Sequence, residues 1–299
     1  MESIAASPCC TPLPGKDRCC DSEPATTANE SAAAAHSASA GADSAADVTH
    51  AAVRARYTAA AEGSARGCCS TPEDAEHVLA ALGYTSEQAA AIPEGANLGL
   101  GCGNPLAHAE LVAGETVLDL GSGAGIDCFI AARQVGPAGR AIGVDMTPAM
   151  IDRARANARR ASVTNVEFRL GEIEHLPVAD GSVDAIVSNC VVNLSPDKPA
   201  VFREAWRVLR AGGRLLVSDL VWTKDVPDAL KARVDRSVGC VAGASRLEDY
   251  LALLSAAGFR DVAVVERAGY APAESALGDD AEEREAFAAI ASVKVRAIK

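Results

Sequence analysis

The sequence predicts an α/β protein built on an open, largely parallel sheet, and three observations point there. From Glu115 to Asp145 the chain reads as strand, glycine-rich turn, helix and strand. The apolar runs Val117–Leu120 and Ala141–Val144 flank a helical pattern over Ile126–Gln134, the order of a βαβ unit. Further short apolar runs, Val166–Leu170 and Val183–Ser188, alternate with helical patterns downstream. A chain of 299 residues is also long enough to bury a full α/β core and carry a smaller second region.

In the first unit Gly121, Gly123 and Gly125 stand at alternate positions, where the backbone turns sharply and approaches a ligand with no Cβ between. Asp145, at the tip of the second strand, suits an acceptor for two ribose hydroxyls. The G-x-G-x-G spacing departs from the G-x-G-x-x-G of dinucleotide sites. That favours a methyl donor over a pyrophosphate.

The formal charge is −12, and lysine and arginine are dispersed, which argues against nucleic acid as a partner. No apolar run reaches the roughly 18 residues of a membrane span. The first residues lack a basic region followed by an apolar core, so the expectation is a cytoplasmic protein. Ten cysteines are many for this length. Six form adjacent pairs: Cys9–Cys10, Cys19–Cys20 and Cys68–Cys69. Their spacing matches no zinc site, so a thiophilic ligand held by cysteines distant in sequence is the live option.

Residues 1–47 read as a disordered tail. Alanine, serine, glycine and aspartate dominate its second half, with almost nothing large to bury. Its four cysteines are either incidental thiols or a loose tether for soft metal ions. Val48–Glu62 is expected to be helical, with Val53 and Tyr57 one turn apart. A second helix is expected from Thr71-Pro72-Glu73 to Gly83, and a short third over Ser86–Ile92 before Pro93. The run Gly99-Leu100-Gly101-Cys102-Gly103-Asn104-Pro105 is a tight loop with one cysteine at its centre. Glycine on both sides of a thiol, just before the first sheet strand, makes Cys102 a candidate functional residue.

After Asp145, Thr147-Pro148 is expected to cap a helix running to Arg160. The third strand ends at Gly171-Glu172-Ile173, where a carboxylate and a backbone amide suit an adenine. Asn189-Cys190 lies just past the fourth strand, at the carboxyl edge where open α/β sheets bind ligands. Lys198–Leu209 is an amphipathic helix closed by Gly212-Gly213, and Arg214–Asp219 is the fifth strand. Beyond residue 221 come a helix (Pro227–Val238), a small-residue loop holding Cys240, a helix (Leu247–Ala257), a strand (Phe259–Val265), a helix (Glu282–Ile290) and a last strand (Ala291–Ile298). Residues 48–221 are thus expected as the main domain with its N-terminal helices, and 222–299 as a small α+β cap. Cys128, at core spacing in the first sheet-flanking helix, reads as a buried small hydrophobe.

The segments GANLGLGCGNPL (95–106), VLDLGSGAGIDCFIAARQVGP (117–137), IGVDMTPAMI (142–151), VEFRLGEIEHLPV (166–178), SNCVVNLSPDK (188–198) and GCVAGA (239–244) resemble the arsenite S-adenosylmethionine (SAM)-dependent methyltransferase family, microbial branch. The resemblance implies a class I, Rossmann-like methyltransferase sheet, SAM as donor, and trivalent arsenic held by the thiolates of Cys102, Cys190 and Cys240. A fourth functional cysteine corresponds to Cys68 or Cys69. It further implies donor contacts at Asp119, Gly121, Ser122, Gly123, Asp145, Met146, Glu172, Ile173 and Asn189. The tail cysteines lie outside the resemblance.

Soft As(III) prefers sulfur and keeps a lone pair when bound by three thiolates. A lone pair carries no proton, so no general base is expected, and the five histidines show no triad-like grouping in the sequence. Arsenite and methylarsenite are the expected substrates, glutathione or thioredoxin the expected reductant, and no metal cofactor is expected. Re-reduction of arsenic is expected to use a dithiol–disulfide step between Cys68 or Cys69 and Cys102. Two other readings stay open: a methyltransferase of the same fold acting on another small molecule, and a metalloid-sequestering protein without turnover.

Overall fold

The computed structural model describes residues 45–63, 79–231, 241, 243–270 and 280–299. Cys9, Cys10, Cys19, Cys20, Cys68, Cys69 and Cys240 lie outside the described residues, as do most of the helix expected from Thr71 and the second half of that expected from Pro227.

Seven strands form one sheet: β1 (Thr116–Leu120), β2 (Arg140–Asp145), β3 (Val166–Leu170), β4 (Val183–Asn189), β5 (Leu209–Trp222), β6 (Arg260–Gly269) and β7 (Ile290–Ile298). Their spatial order is β3-β2-β1-β4-β5-β7-β6. Strands β1 to β5 pair in parallel, and β7 runs antiparallel between β5 and β6. The residues expected as a cap therefore supply two strands to the main sheet.

The described helices are α1 (Ala45–Ala61), α2 (Ser86–Ala89), α3 (Ile126–Val135), α4 (Pro148–Arg160), α5 (Lys198–Val208), α6 (Leu247–Ala256) and α7 (Ala281–Phe287). None is long and apolar enough to cross a membrane. Side chains alternate across the strands, so β1 sends Val117 to one face and Leu118 and Leu120 to the other. Val117 packs with Phe129, Ile130 and Val135 of α3 and Ile151 of α4. Leu118 and Leu120 pack with Phe202 and Ala205 of α5 and Tyr250 and Leu254 of α6. The buried continuous runs of β1 and β4 follow from this coverage on both faces.

Several expected boundaries shift. Helix α2 stops at Ala89 rather than Ile92 after a capping box in which Thr85 and Gln88 satisfy each other's backbone N–H. Thr147 does sit at the N-cap of α4, but its side chain makes no cap bond; the proline at the first turn starts the helix instead. Strand β5 extends at both ends beyond Arg214–Asp219. Leu209 pairs with Val183 across an irregularity, and residues up to Trp222 are held by β7. Trp206 on the amphipathic α5 is 39% exposed, with the Lys299 ammonium 4.0 Å from its ring centre.

Candidate active site

The chain runs outward from β1 to β3 and returns to β4 beside β1. This switch point opens a crevice at the carboxyl ends of the strands, and the loops after β1 and β4 meet there. Gly121 has φ of 69°, and a Cβ on it would overlap the Val191 side chain. The loop after β1 can thus lie against the loop after β4 only with glycine there.

One cleft is lined by Asp119, Gly121, Ser122, Gly123, Asp145, Met146, Ile173, Asn189 and Cys190, so eight of the nine expected donor-contacting positions converge. Glu172 is the exception. Its carboxylate lies 3.4 Å from Arg54 and 3.6 Å from His50 Nδ1, both on α1. Glu174 faces the cleft instead, accepting from the Ser195 hydroxyl and pairing with His50 Nε2 at 3.2 Å. Helix α1 covers the cleft with His50, Val53, Arg56 and Tyr57.

The cleft fits a SAM-like ligand on three counts. A Cβ on Gly123 would meet nothing nearer than Met150 Sδ at 4.0 Å, so the backbone there is open to close approach. Asp145 is held by the N–H groups of Gly123 (2.9 Å) and Thr147 (2.8 Å), one to each carboxylate oxygen. A carboxylate has about four acceptor sites, which leaves room for a ribose diol. Finally, Asp119, Asp127 and Asp145 all border the cleft, a floor that complements a positively charged ligand.

Burial disfavours charge on each of these acids. It pushes Asp119 well above the ordinary carboxylate range, with the Asp127 charge adding to it and a hydrogen bond from the Cys128 thiol (3.4 Å) opposing. Asp127 is pushed up to about 6 by burial, against hydrogen bonds from Tyr84 and Asn189. Asp145 is raised by burial despite its two N–H donors. Cys128 is fully buried, as expected, and its thiol is raised by burial and by Asp119.

Cys102 and Cys190, 88 residues apart, are paired as a disulfide with Cα atoms 5.9 Å apart, within the usual range for that bond. The glycines flanking Cys102 permit this. A Cβ on Gly101 would press on the Asn189 amide at 3.1 Å, and one on Gly103 would overlap the Ser218 hydroxyl. Cys190 itself has φ of 58°, a left-handed conformation that non-glycine residues seldom adopt. Both cysteines are buried in an apolar cluster with Leu220, Trp222, Val241 and Phe287. Val241, the neighbour of Cys240, is thus among the residues packed near the pair.

Two residues of the site, Tyr84 and Asp127, are not singled out by the sequence. Tyr84 donates to Asp127 Oδ1 at 2.8 Å, Asn189 donates to Tyr84 Oη at 3.2 Å, and Tyr84 and Asp127 both line the cleft. His50 was not distinguished from the other histidines by its sequence surroundings either.

Comparison with known proteins agrees with this geometry. A methyltransferase-domain family model matches residues 111–268. An arsenite methyltransferase of Halobacterium salinarum is 56% identical over 198 residues, covering 66% of this chain and 50% of that protein. One from Aquipseudomonas alcaligenes is 43% identical over 186 residues, covering 60% and 53%. The chain spans about half the length of these curated relatives. The crystal structure of an arsenic(III) S-adenosylmethionine methyltransferase from Chlamydomonas reinhardtii is similar with a TM-score of 0.60 and 34% identity, covering 74% of this chain and 72% of that one. The chain belongs to the methyltransferase-domain family and, within it, to the arsenite methyltransferase group.

Proposed function

We propose that this protein transfers methyl groups from S-adenosylmethionine to trivalent arsenic, as arsenite and methylarsenite, held by the thiolates of Cys102, Cys190 and Cys240. The observation that carries the reading is the meeting of Cys102 and Cys190, from two remote loops, at a cleft of which Cys190 is itself a wall. When bound, S-adenosylmethionine supplies a methyl group on a positively charged sulfur. Asp145 takes the ribose, the open backbone at Gly123 admits close approach, and the acidic floor favours the cation. Helix α1 excludes water from above.

The three cysteines hold arsenic with its lone pair directed to the cleft. Since that lone pair carries no proton, no residue has to act as a base. Fixing the two reactants in near-attack geometry supplies several kcal/mol of the acceleration. Acquiring a methyl cation raises arsenic formally from III to V. Two thiolates that close to a disulfide return two electrons, and the Cys102–Cys190 pairing supports that role for this pair. Glutathione or thioredoxin would reopen the bond, and the whole cycle would serve arsenic detoxification.

Incubating the full chain with S-adenosylmethionine, a thiol and arsenite, followed by chromatographic speciation of arsenic, tests the reading. Methylated arsenic is expected from the native protein and none from Cys190→Ser or Cys240→Ser. A protein that binds S-adenosylmethionine yet forms no methylated arsenic would overturn it.

A further inference from the structure

Between the cleft and the cysteine pair lies a hydrogen-bonded chain that the chemistry above does not use. Asp127 stands in the first turn of α3, two residues after the glycine loop, and lines the cleft. Its Oδ1 accepts from the Tyr84 hydroxyl at 2.8 Å. Tyr84 Oη in turn accepts from Asn189 Nδ2 at 3.2 Å; the direct contact of that Nδ2 with Asp127 Oδ2, at 3.5 Å, is too long to replace the route through the phenol. The same Nδ2 donates to the Gly103 carbonyl at 2.7 Å, and Asn189 Oδ1 accepts from the Cys102 N–H at 3.0 Å. Those last two bonds fix the amide's orientation, since a flipped amide would set donor against donor and acceptor against acceptor. Asn189 is also the residue before Cys190. One side chain therefore grips the Cys102 loop from both sides, and its own backbone carries the second sulfur.

Every link in this chain runs between different segments: α3, the turn at Tyr84, the tip of β4 and the loop at Cys102. Tyr84, Asp127 and Cys102 are buried, and the Tyr84–Asp127 bond is wholly enclosed, so water is no ready substitute for that link; Asn189 is half-buried at the cleft wall. A ligand that contacts Asp127 therefore acts on a connected set of bonds ending at both sulfurs.

We propose that Asp127, Tyr84 and Asn189 form a positioning relay through which a cationic ligand in the cleft and a trivalent arsenical on the cysteines strengthen each other's binding. The proposal rests on the functional reading above. A cation over the cleft floor fixes the Asp127 carboxylate in place, and a charged acceptor so fixed holds the phenol more strongly than a neutral one would. The phenol, so fixed, holds the Asn189 amide in the orientation that sets Cys102 beside Cys190. By linkage the effect is reciprocal.

The test uses reduced full-length protein and sinefungin, an unreactive donor analogue with an ammonium in place of the sulfonium. Arsenite binding is read by the fluorescence of Trp222, which shares the apolar cluster of Cys102 and Cys190. In the native protein sinefungin should tighten arsenite binding about 5-fold or more, and arsenite should tighten sinefungin binding by the same factor. In Tyr84→Phe the factor should fall toward one while each ligand still binds separately, an outcome that simple loss of fold would not produce. Asp127→Asn keeps an acceptor for Tyr84 and removes the charge; it should lose the coupling too, and serves where Tyr84→Phe does not fold. A native-like factor in both variants, or independent binding of the two ligands to the native protein, would overturn the relay and leave the functional reading standing. Failure of the native protein to bind arsenite at all would overturn the functional reading and the relay with it.

Discussion

Cys190 concentrates the demands of the site on one residue. Its φ of 58° would suit glycine, and its amide donates to the Ser218 carbonyl at 2.8 Å, which holds the turn at the strand end. A left-handed L-residue costs roughly 1–2 kcal/mol, so a thiol kept at this position against that cost points to a chemical role for the sulfur. Under reducing conditions Cys190→Gly should be more stable than Cys190→Ala by about 0.5–1 kcal/mol, the reverse of the usual order. Denaturant titration of both variants measures it. Alanine as the more stable of the two would mean that the backbone here is relaxed.

Among the elements, α1 matters most to the cleft. It is fastened on one side by His50 and Arg54 to Glu172 and Glu174. On the other, Arg153 donates to the Ala61 carbonyl at 2.6 Å, and Tyr57 and Ala61 pack with Met150. If the helix covers a bound donor, His50→Ala, which removes the contacts to Glu172 and Glu174, should raise the dissociation constant of S-adenosylmethionine about two- to fivefold, the size of one modest side-chain hydrogen bond. Calorimetry would show it, and an unchanged constant would mean that α1 leaves the bound ligand uncovered.

The element scale also marks where sequence reading succeeds and where it stops. Strands β1 to β4 were legible to within a residue or so because each is a short apolar run with a turn at its end. Strand β5 was not, because Gly212-Gly213 reads as a terminus while Leu209 pairs across an irregularity, and its far end depends on β7, remote in sequence. Cys102 and Cys190 were legible from flanking glycines and from strand-end position. The direction of the Glu172 side chain was not, since partners on α1, more than a hundred residues away, set it. A lone tyrosine and a lone aspartate, such as Tyr84 and Asp127, offer no spacing to read.

At the scale of the whole molecule, stability carries the signature of buried acids. Asp219 is fully buried and pushed up to about 7, chiefly by burial; N–H donors from Leu220 and Asn193, the Lys198 charge and the Tyr250 hydroxyl all oppose the shift. A carboxyl whose pKa is raised on folding stabilises the fold while protonated, below its unfolded value near 4. It loses that contribution as pH rises through the folded value. The window for Asp219 is therefore about pH 4 to 7. Asp219→Asn should remove on the order of 2 kcal/mol of the decline in unfolding free energy between pH 5 and pH 8, measured by urea titration at the two pH values. An equal decline in the variant would show that Asp219 stays ionised throughout.

The arrangement of sheet, loops and helix has a common consequence: thiols from separate loops meet beside a cleft shaped for a cationic nucleoside. X-ray absorption at the arsenic edge, on reduced full-length protein loaded with arsenite, tests that consequence most directly. Three sulfur neighbours are expected in the native protein, with oxygen replacing sulfur in Cys190→Ser. Arsenic surrounded by oxygen alone, or a shell unchanged by that substitution, would contradict the account.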